Sequence, residues 1–382
     1  MPMDLETVTL GNNCNFNERV YKYVQPKLIE EIERVLKSVD FTFVRNSTKT
    51  THNQKNLFTL IVTVHDVSEK YYVECIESIQ NQTYQELEII IIEHGTNALI
   101  KNYNRCLIAN DPRFKAMSIV DNNLDNYFHL INAALFFSSG DYYYFIAYDD
   151  KLSNNYAEKM VKLFIERKDC VSAAPLPVSI DKHGVVNHET SQIFRATNQR
   201  LRFTSGLDLA YSFINKEDKI AFPGGILAHK TVNVLARGGV DKENDISQLF
   251  KFAVYGISGF DSSALLYWRH HELQTNKELT RKATLRYKSQ GKYYSDLSKV
   301  LEKNLDLNIS KKVLDFSEYH QQKDLTGTMV RLVESGNLLM LFKYILLMLK
   351  EVPINKVILT FVILGKILLK KLRNKLVKIL IV

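Results

Sequence analysis

From Leu57 onward, short β-branched apolar runs alternate with segments of helical periodicity, and this alternation leaves few folds open to the chain. LFTLIVTV (57–64), ELEIIIIEHGT (86–96), AMSIV (116–120), DYYYFIAYDD (141–150) and CVSAAPLPVSI (170–180) each read as a strand. The first two are apolar enough to be buried on both faces. Between the strands, residues 71–82, 97–109, 126–138 and 154–168 read as helices, the first placing Val73, Ile76 and Ile79 at helical spacing. Such alternation predicts an α/β fold, a mostly parallel Rossmann-like sheet flanked by helices. In sheets of this kind ligands bind beyond the carboxyl ends of the strands, so the polar residues after each strand are the candidates.

Charge is distributed unevenly. The 382 residues carry a formal net charge of +8, and all of the excess lies in residues 337–382, which hold nine Lys/Arg and one acid, Glu351. The rest of the chain is balanced. A nucleic-acid protein spreads basic residues over a folded face interleaved with aromatics, which is not the pattern here. Four widely spaced cysteines (Cys14, Cys75, Cys106, Cys170) form no CxxC pair, so neither a thiolate zinc site nor a disulfide framework is expected, and a reducing compartment fits. The N-terminal stretch has early acids and no apolar run, so it is not read as a signal peptide.

These features divide the chain into a helical N-terminal extension (1–50), with Leu28, Ile32 and Val35 on one helical face, and a main domain (57–275) after a polar linker at 45–56. A helical linker region (276–336) and a basic amphipathic tail (337–382) follow. Neither GxGxxG nor GxxxxGK[ST] follows the first strand, and GxSxG and HExxH are absent, which argues against dinucleotide dehydrogenases, P-loop enzymes, α/β-hydrolases and zincins. The strongest local signal is Tyr148-Asp149-Asp150 at the end of a very apolar strand. Adjacent carboxylates repel and need a cation or donors nearby; Mg²⁺ or Mn²⁺ suits them, completing its shell with phosphate oxygens. The other reading is a helix N-cap by Asp150 or Ser153.

Several weak motifs then occur in one consistent order over about residues 57–275. They are Ser78-Ile79-Gln80-Asn81-Gln82-Thr83-Tyr84, Asn132-Ala133-Ala134-Leu135 through Ser139-Gly140-Asp141-Tyr142 to Tyr148-Asp149-Asp150, Gly238-Gly239-Val240-Asp241, Asn244-Asp245 with Lys251, and Tyr267-Trp268-Arg269-His270-His271. Together they resemble the inverting family 2 glycosyltransferases of the GT-A fold. The resemblance implies transfer of a sugar from a nucleotide-diphospho-sugar to a hydroxyl of a glycan or lipid-linked acceptor, as in bacterial cell-surface polysaccharide synthesis, with Mn²⁺ or Mg²⁺. It implies Asp245 as catalytic base, Asp149 and His271 as metal contacts, with His270 the alternative to His271, and Thr63, His65, Glu93, Asn132, Tyr148 and Asp149 on the nucleotide-sugar. Gly224, Gly225 and Asn244 would face the acceptor. The sequence departs from the family pattern at His65-Asp66 (usually Tyr-Asn), His94, Ala147 (each usually Asp) and Asn244 (usually Glu). These departures keep open a catalytically weakened, non-enzymatic nucleotide- or glycan-binding scaffold. The run Tyr142-Tyr143-Tyr144-Phe145 reads as alternating strand packing, not a sugar platform, and Pro223-Gly224-Gly225 as a tight turn.

In the tail, the longest charge-free apolar stretch is residues 357–365, well below the ~20 residues that span a bilayer. Lys366, Lys370 and Arg373 recur at helical spacing, with Leu368, Leu369, Leu372 and Leu376 elsewhere around the helix. Such a helix lies in the membrane interface, where each basic residue near anionic lipid contributes about 1 kcal/mol. The expectation is a cytoplasmic protein peripheral on the inner face of the cell membrane. A helix packed on the protein or in an oligomer is the other reading.

Overall fold

The computed structural model describes residues 5–9, 24–38, 40–46, 55–64, 68–95, 97–120, 127–187, 202–215, 227–240, 249–271, 291–292, 294–303, 305, 307–334, 336 and 338–380. It divides into two compact units, Met1–His270 and His271–Val382.

In the first unit the strands are β1 (Leu5–Thr9), β2 (Asp40–Asn46), β3 (Phe58–Val64), β4 (Leu87–His94), β5 (Phe114–Val120), β6 (Tyr142–Ala147), β7 (Lys151–Leu152), β8 (Cys170–Ile180), β9 (Phe203–Ser205), β10 (Ala228–Lys230) and β11 (Ile257–Arg269). Its helices are α1 (Pro26–Ser38), α2 (Glu69–Gln80), α3 (Ala98–Asn110), α4 (Tyr127–Phe137), α5 (Tyr156–Glu166), α6 (Gly206–Asn215) and α7 (Thr231–Leu235). The described strands make one sheet in the order β1-β2-β5-β4-β3-β6-β10-β8-β11-β7, with β9 on β11. Its centre, β5-β4-β3-β6, is parallel. The flanks are antiparallel apart from the β8–β11 pair.

Every residue of β3 and β4 is buried. Ile89, Ile90, Ile91 and Ile92 are wholly enclosed, and each contributes about 1.5–3 kcal/mol over exposure. That is why these runs show no polar alternation: helices cover both faces. Tyr142 stacks on Phe164 at 4.5 Å, and Tyr144 meets Tyr156 at 5.3 Å, so the tyrosine run is strand packing.

The N-terminal segment differs from a purely helical extension. β2 pairs antiparallel with β5 and carries β1 at the sheet edge. The physical reason is a short period-2 pattern, Phe41 and Phe43, whose rings stack on Phe137 at 5.5 and 5.4 Å. α1 begins with Pro26, suited to a first helical turn, and buries Leu28, Ile32, Val35 and Leu36 in the same core. Part of the expected linker, Arg45 and Asn46, is strand; residues 47–54 lie outside the described residues.

The second unit holds α8 (Leu307–Glu334), α9 (Leu338–Glu351) and α10 (Ile354–Leu380). Val352-Pro353 separates α9 from α10, as a proline that cannot continue a helix does. Leu325, Met329 and Leu332 of α8 pack with Tyr344 and Met348 of α9 and Val357 and Leu364 of α10. Gln322 Nε2 donates to Thr360 Oγ1 at 2.7 Å, and Glu318 pairs with Lys356. Among the described residues no helix is long and apolar enough to cross a membrane.

Candidate active site

Three parallel strands bring their carboxyl ends to one edge. Thr63 lies opposite Ile92 and Ala147, and Val64 opposite Glu93. Register therefore places Thr63, Glu93 and the turn Tyr148-Asp149-Asp150 side by side.

The acidic turn is held by one cation. Arg269, at the end of β11 and wholly buried, donates from Nε to the Asp149 carbonyl oxygen at 2.8 Å and from Nη2 to Glu74 Oε2 at 2.6 Å. Its backbone N–H donates to Asp150 Oδ1 at 2.9 Å, and its guanidinium lies 4.5 Å from the centre of the Tyr71 ring. Lys151 Nζ stands 3.5 Å from Glu74. Burial and then the Asp149 charge raise the Asp150 carboxyl well above the usual range, with the Arg269 N–H and charge opposing. Burial also pushes Glu74 up, but the hydrogen bond and charge of Arg269, with Lys151, outweigh it and hold Glu74 below its ordinary value. Cys75, whose Sγ is 3.7 Å from the Ala147 carbonyl oxygen, is raised by burial and by both aspartates, which makes it an unreactive thiol.

Because the folded-state pKa of Glu74 is depressed, its contribution to stability is complete above its unfolded value and is lost as pH falls through the folded one. Glu74→Gln is expected to remove that acid-side loss below pH 4.5, so that urea midpoints of the variant and the parent converge as pH drops.

Asp150 does not cap the following helix; its carboxylate faces Arg269 instead. The first turn of α5 is served by Gln82, whose Oε1 accepts from Ala157 N at 2.9 Å while Nε2 donates to the carbonyls of Ser153 (2.8 Å) and Ser78 (2.9 Å). Ser78 Oγ accepts from Leu152 N at 3.2 Å, and Thr83 N donates to the Asn154 carbonyl at 2.8 Å. The Ser78–Tyr84 motif thus ties the end of α2 to the chain just after the acidic turn.

Glu93 is completely enclosed. Arg105 grips it with two nitrogens, Nη1 to Oε1 at 3.0 Å and Nη2 to Oε2 at 2.9 Å. Asn104 Nδ2 adds a bond to Oε1 at 2.8 Å, and Ser118 Oγ also donates to the carboxylate. Tyr72 O–H in turn donates to Asn104 Oδ1 at 2.6 Å. The carboxylate is spent inside the protein, and the group that reaches solvent is Arg105, 29% exposed.

Asn132 is spent as well. Its Nδ2 donates to the Val240 carbonyl and its Oδ1 accepts from Val240 N, both at 2.7 Å, so α4 pins the Gly238-Gly239 turn. Both glycines have left-handed φ, 81° and 72°, and a Cβ on Gly239 would stand 2.4 Å from Asn132 Oδ1. Lys251 Nζ donates to the Gly239 carbonyl at 2.6 Å. Gly239→Ala is expected to cost about 2 kcal/mol or more from left-handed strain and overlap, read as a lower urea midpoint at unchanged slope.

His65, Gly224, Gly225, Asn244 and Asp245 lie outside the described residues. His271 is the first residue of the second unit, and is buried. Among the described residues no group of three or more His, Cys, Asp or Glu side chains gathers to hold a metal. Asp149 and Asp150 offer one or two hard oxygen donors, the set that Mg²⁺ or Mn²⁺ takes when substrate phosphates supply the rest. Sequence reasoning missed Arg269, Glu74 and Arg105 as working residues. Arg269 sits inside a quoted motif, but its partner Glu74 is 195 residues away and carries no spacing signal.

Residues 59–214 match the model of glycosyl transferase family 2. A curated protein of Haemophilus influenzae, named as an uncharacterized glycosyltransferase, is 30% identical over 145 residues. That match takes in 36% of this chain and 43% of the relative, so the chain covers less than half of the relative's length. The crystal structure of S. aureus TarS 1–349 in complex with UDP-GlcNAc has a TM-score of 0.55 to the chain at 13% identity, over 78% of this chain and 82% of that one. The fold they share is GT-A.

Proposed function

With a glycosyl transferase family 2 domain over residues 59–214 as the starting point, we propose that the protein moves a sugar from a nucleotide-diphospho-sugar to a hydroxyl of a glycan or lipid-linked acceptor. The transfer proceeds with inversion and serves bacterial cell-surface polysaccharide synthesis at the inner face of the membrane. The observation that carries the reading is the Asp149-Asp150 turn at the carboxyl edge of the parallel strands, beside Thr63 and Glu93 and fixed by Arg269.

In this reading Asp149, with Asp150 beside it, would hold Mn²⁺ or Mg²⁺. Such an ion would supply positive charge to the departing diphosphate. Thr63, His65 and Tyr148 line the donor. Glu93 acts through Arg105, whose orientation it fixes, and Asn132 acts through the Gly238-Gly239 turn. Asp245 takes the proton of the acceptor hydroxyl as that oxygen bonds to the anomeric carbon and the bond from that carbon to the diphosphate oxygen breaks. Gly224, Gly225 and Asn244 face the acceptor.

Asp245→Asn is expected to lower kcat by about 10²–10⁴-fold with donor KM little changed, the signature of a lost general base. Steady-state transfer assays check this, and UDP-GlcNAc, the ligand of the TarS neighbour, is the first donor to try. One observation favours the alternative, a non-catalytic binding scaffold: Ala147 stands where the resemblance expects a third carboxylate, and Arg269 already supplies a cation beside the turn. Donor binding without turnover would support that alternative.

A further inference from the structure

α9 and α10 are two-sided, and only one side is used. α9 turns Tyr344 and Met348 into the core it shares with α8, and α10 turns in Val357, Thr360 and Leu364. The other side of each is apolar and exposed. On α9 it runs through Leu338, Phe342, Leu346 and Leu349, spaced three to four residues apart, with Leu338 75% exposed. On α10 it runs through Ile354, Ile358 and Phe361, three to four residues apart, and is met again two turns on by Leu369, 68% exposed. Each stripe covers about a third of the helix circumference. Most of the large exposed hydrophobics among the described residues lie on these two helices.

Charge borders the stripes in the same way on both helices. At 3.6 residues per turn, Lys343 and Lys350 fall beside the α9 stripe, on the side away from Tyr344 and Met348; Lys366 falls beside the α10 stripe, and Lys370 lies further round the same side. All four are exposed, and the only acid from Leu338 onward is Glu351. Lysines beside an apolar stripe can bury their stems and keep their ammonium groups in water. The surface that complements both parts is apolar below and anionic at its rim. A second copy of the chain would set these lysine rows against one another. A spanning helix is unsuitable, because no described helix is long and apolar enough.

We infer that α9 and α10 together form a docking face for an anionic lipid bilayer, lying in the interface with Phe342, Ile358 and Leu369 among the acyl chains and the four lysines at the headgroups. The inference stands apart from the transfer reaction and requires only the second unit's helices. It also accounts for two amphipathic helices in succession: one stripe gives weak, reversible attachment, and two joined at Pro353 act as linked sites of higher effective concentration.

The test is co-sedimentation of the full-length protein with phosphatidylcholine vesicles, with and without phosphatidylglycerol. Binding is expected only with phosphatidylglycerol and should weaken with salt, as screened headgroup attraction does. Phe342→Asp/Ile358→Asp/Leu369→Asp, at exposed positions that leave the α8 core intact, is expected to reduce the bound fraction about tenfold or more. Circular dichroism checks that its helices remain. The Lys343→Gln/Lys350→Gln/Lys366→Gln/Lys370→Gln variant is expected to lose the preference for anionic vesicles. Parent protein that stays in the supernatant overturns the inference. So does a triple-aspartate variant that binds as the parent does, or a lipid-free oligomer that this variant dissociates. Donor turnover measured without vesicles on the same proteins tests the transfer reading separately.

Discussion

Asp149→Ala is expected to lower turnover of the nucleotide-sugar by about a thousandfold while moving the melting temperature by no more than about 2 °C. The two outcomes separate because different atoms of the residue do different work. The Asp149 carbonyl oxygen accepts from Arg269 Nε, and this contact remains in the variant. In the proposed reaction the side chain would supply the hard oxygen for the ion beside the diphosphate. A thousandfold corresponds to about 4 kcal/mol of barrier, within what a Lewis acid gives a departing anion. Asp149→Asn, nearly isosteric and uncharged, is expected to fall almost as far, and excess Mn²⁺ to rescue it only in part. Transfer assays over a Mn²⁺ titration, with a melt alongside, read both halves.

Arg269→Met is expected to do the opposite, striking stability first. The guanidinium is wholly enclosed and joins four segments: Tyr71 and Glu74 of α2, the acidic turn, the loop at Lys182 after β8, and β11 itself. Removing it leaves the crowded Asp149-Asp150 pair without its cation and Glu74 with Lys151 alone. Breaking a buried, hydrogen-bonded charge in this way costs about 3 kcal/mol or more, or roughly 6–12 °C in melting temperature for a unit of this size. Arg269→Lys retains charge but not the fork of donors, and should fall between. If the loss comes from the uncompensated acids, divalent cation will restore more stability to Arg269→Met than to the parent; a loss from packing alone would be indifferent to metal.

The central sheet was legible because its strands are buried on both faces and so read as unbroken apolar runs. Tyr71–Gln80 and the helix from Ile354 were legible because their apolar residues recur at helical spacing. β2 was harder: Phe41-Thr42-Phe43 is too short a period-2 pattern to stand out beside a polar stretch, and its partner β5 lies some seventy residues on. At the site, the apolar run before it put the acidic turn at the end of a strand, and the turn does follow β6. Order along the chain could not show what each side chain faces. Glu93 and Asn132 look like ligand contacts in a motif, yet one is consumed by Arg105 and the other by the Val240 backbone. Arg269 was invisible as a clamp for the converse reason, since its contacts are set by tertiary packing and not by spacing.

The central claim is sugar transfer from a nucleotide-diphospho donor, and its most direct measurement is release of nucleoside diphosphate from a panel of nucleotide sugars by full-length protein in Mn²⁺. The account predicts that at least one donor is turned over, that chelation stops it, and that Asp149→Ala and Asp245→Asn suppress it without unfolding. A folded protein that binds a donor and turns over none of the panel, with or without metal, contradicts it.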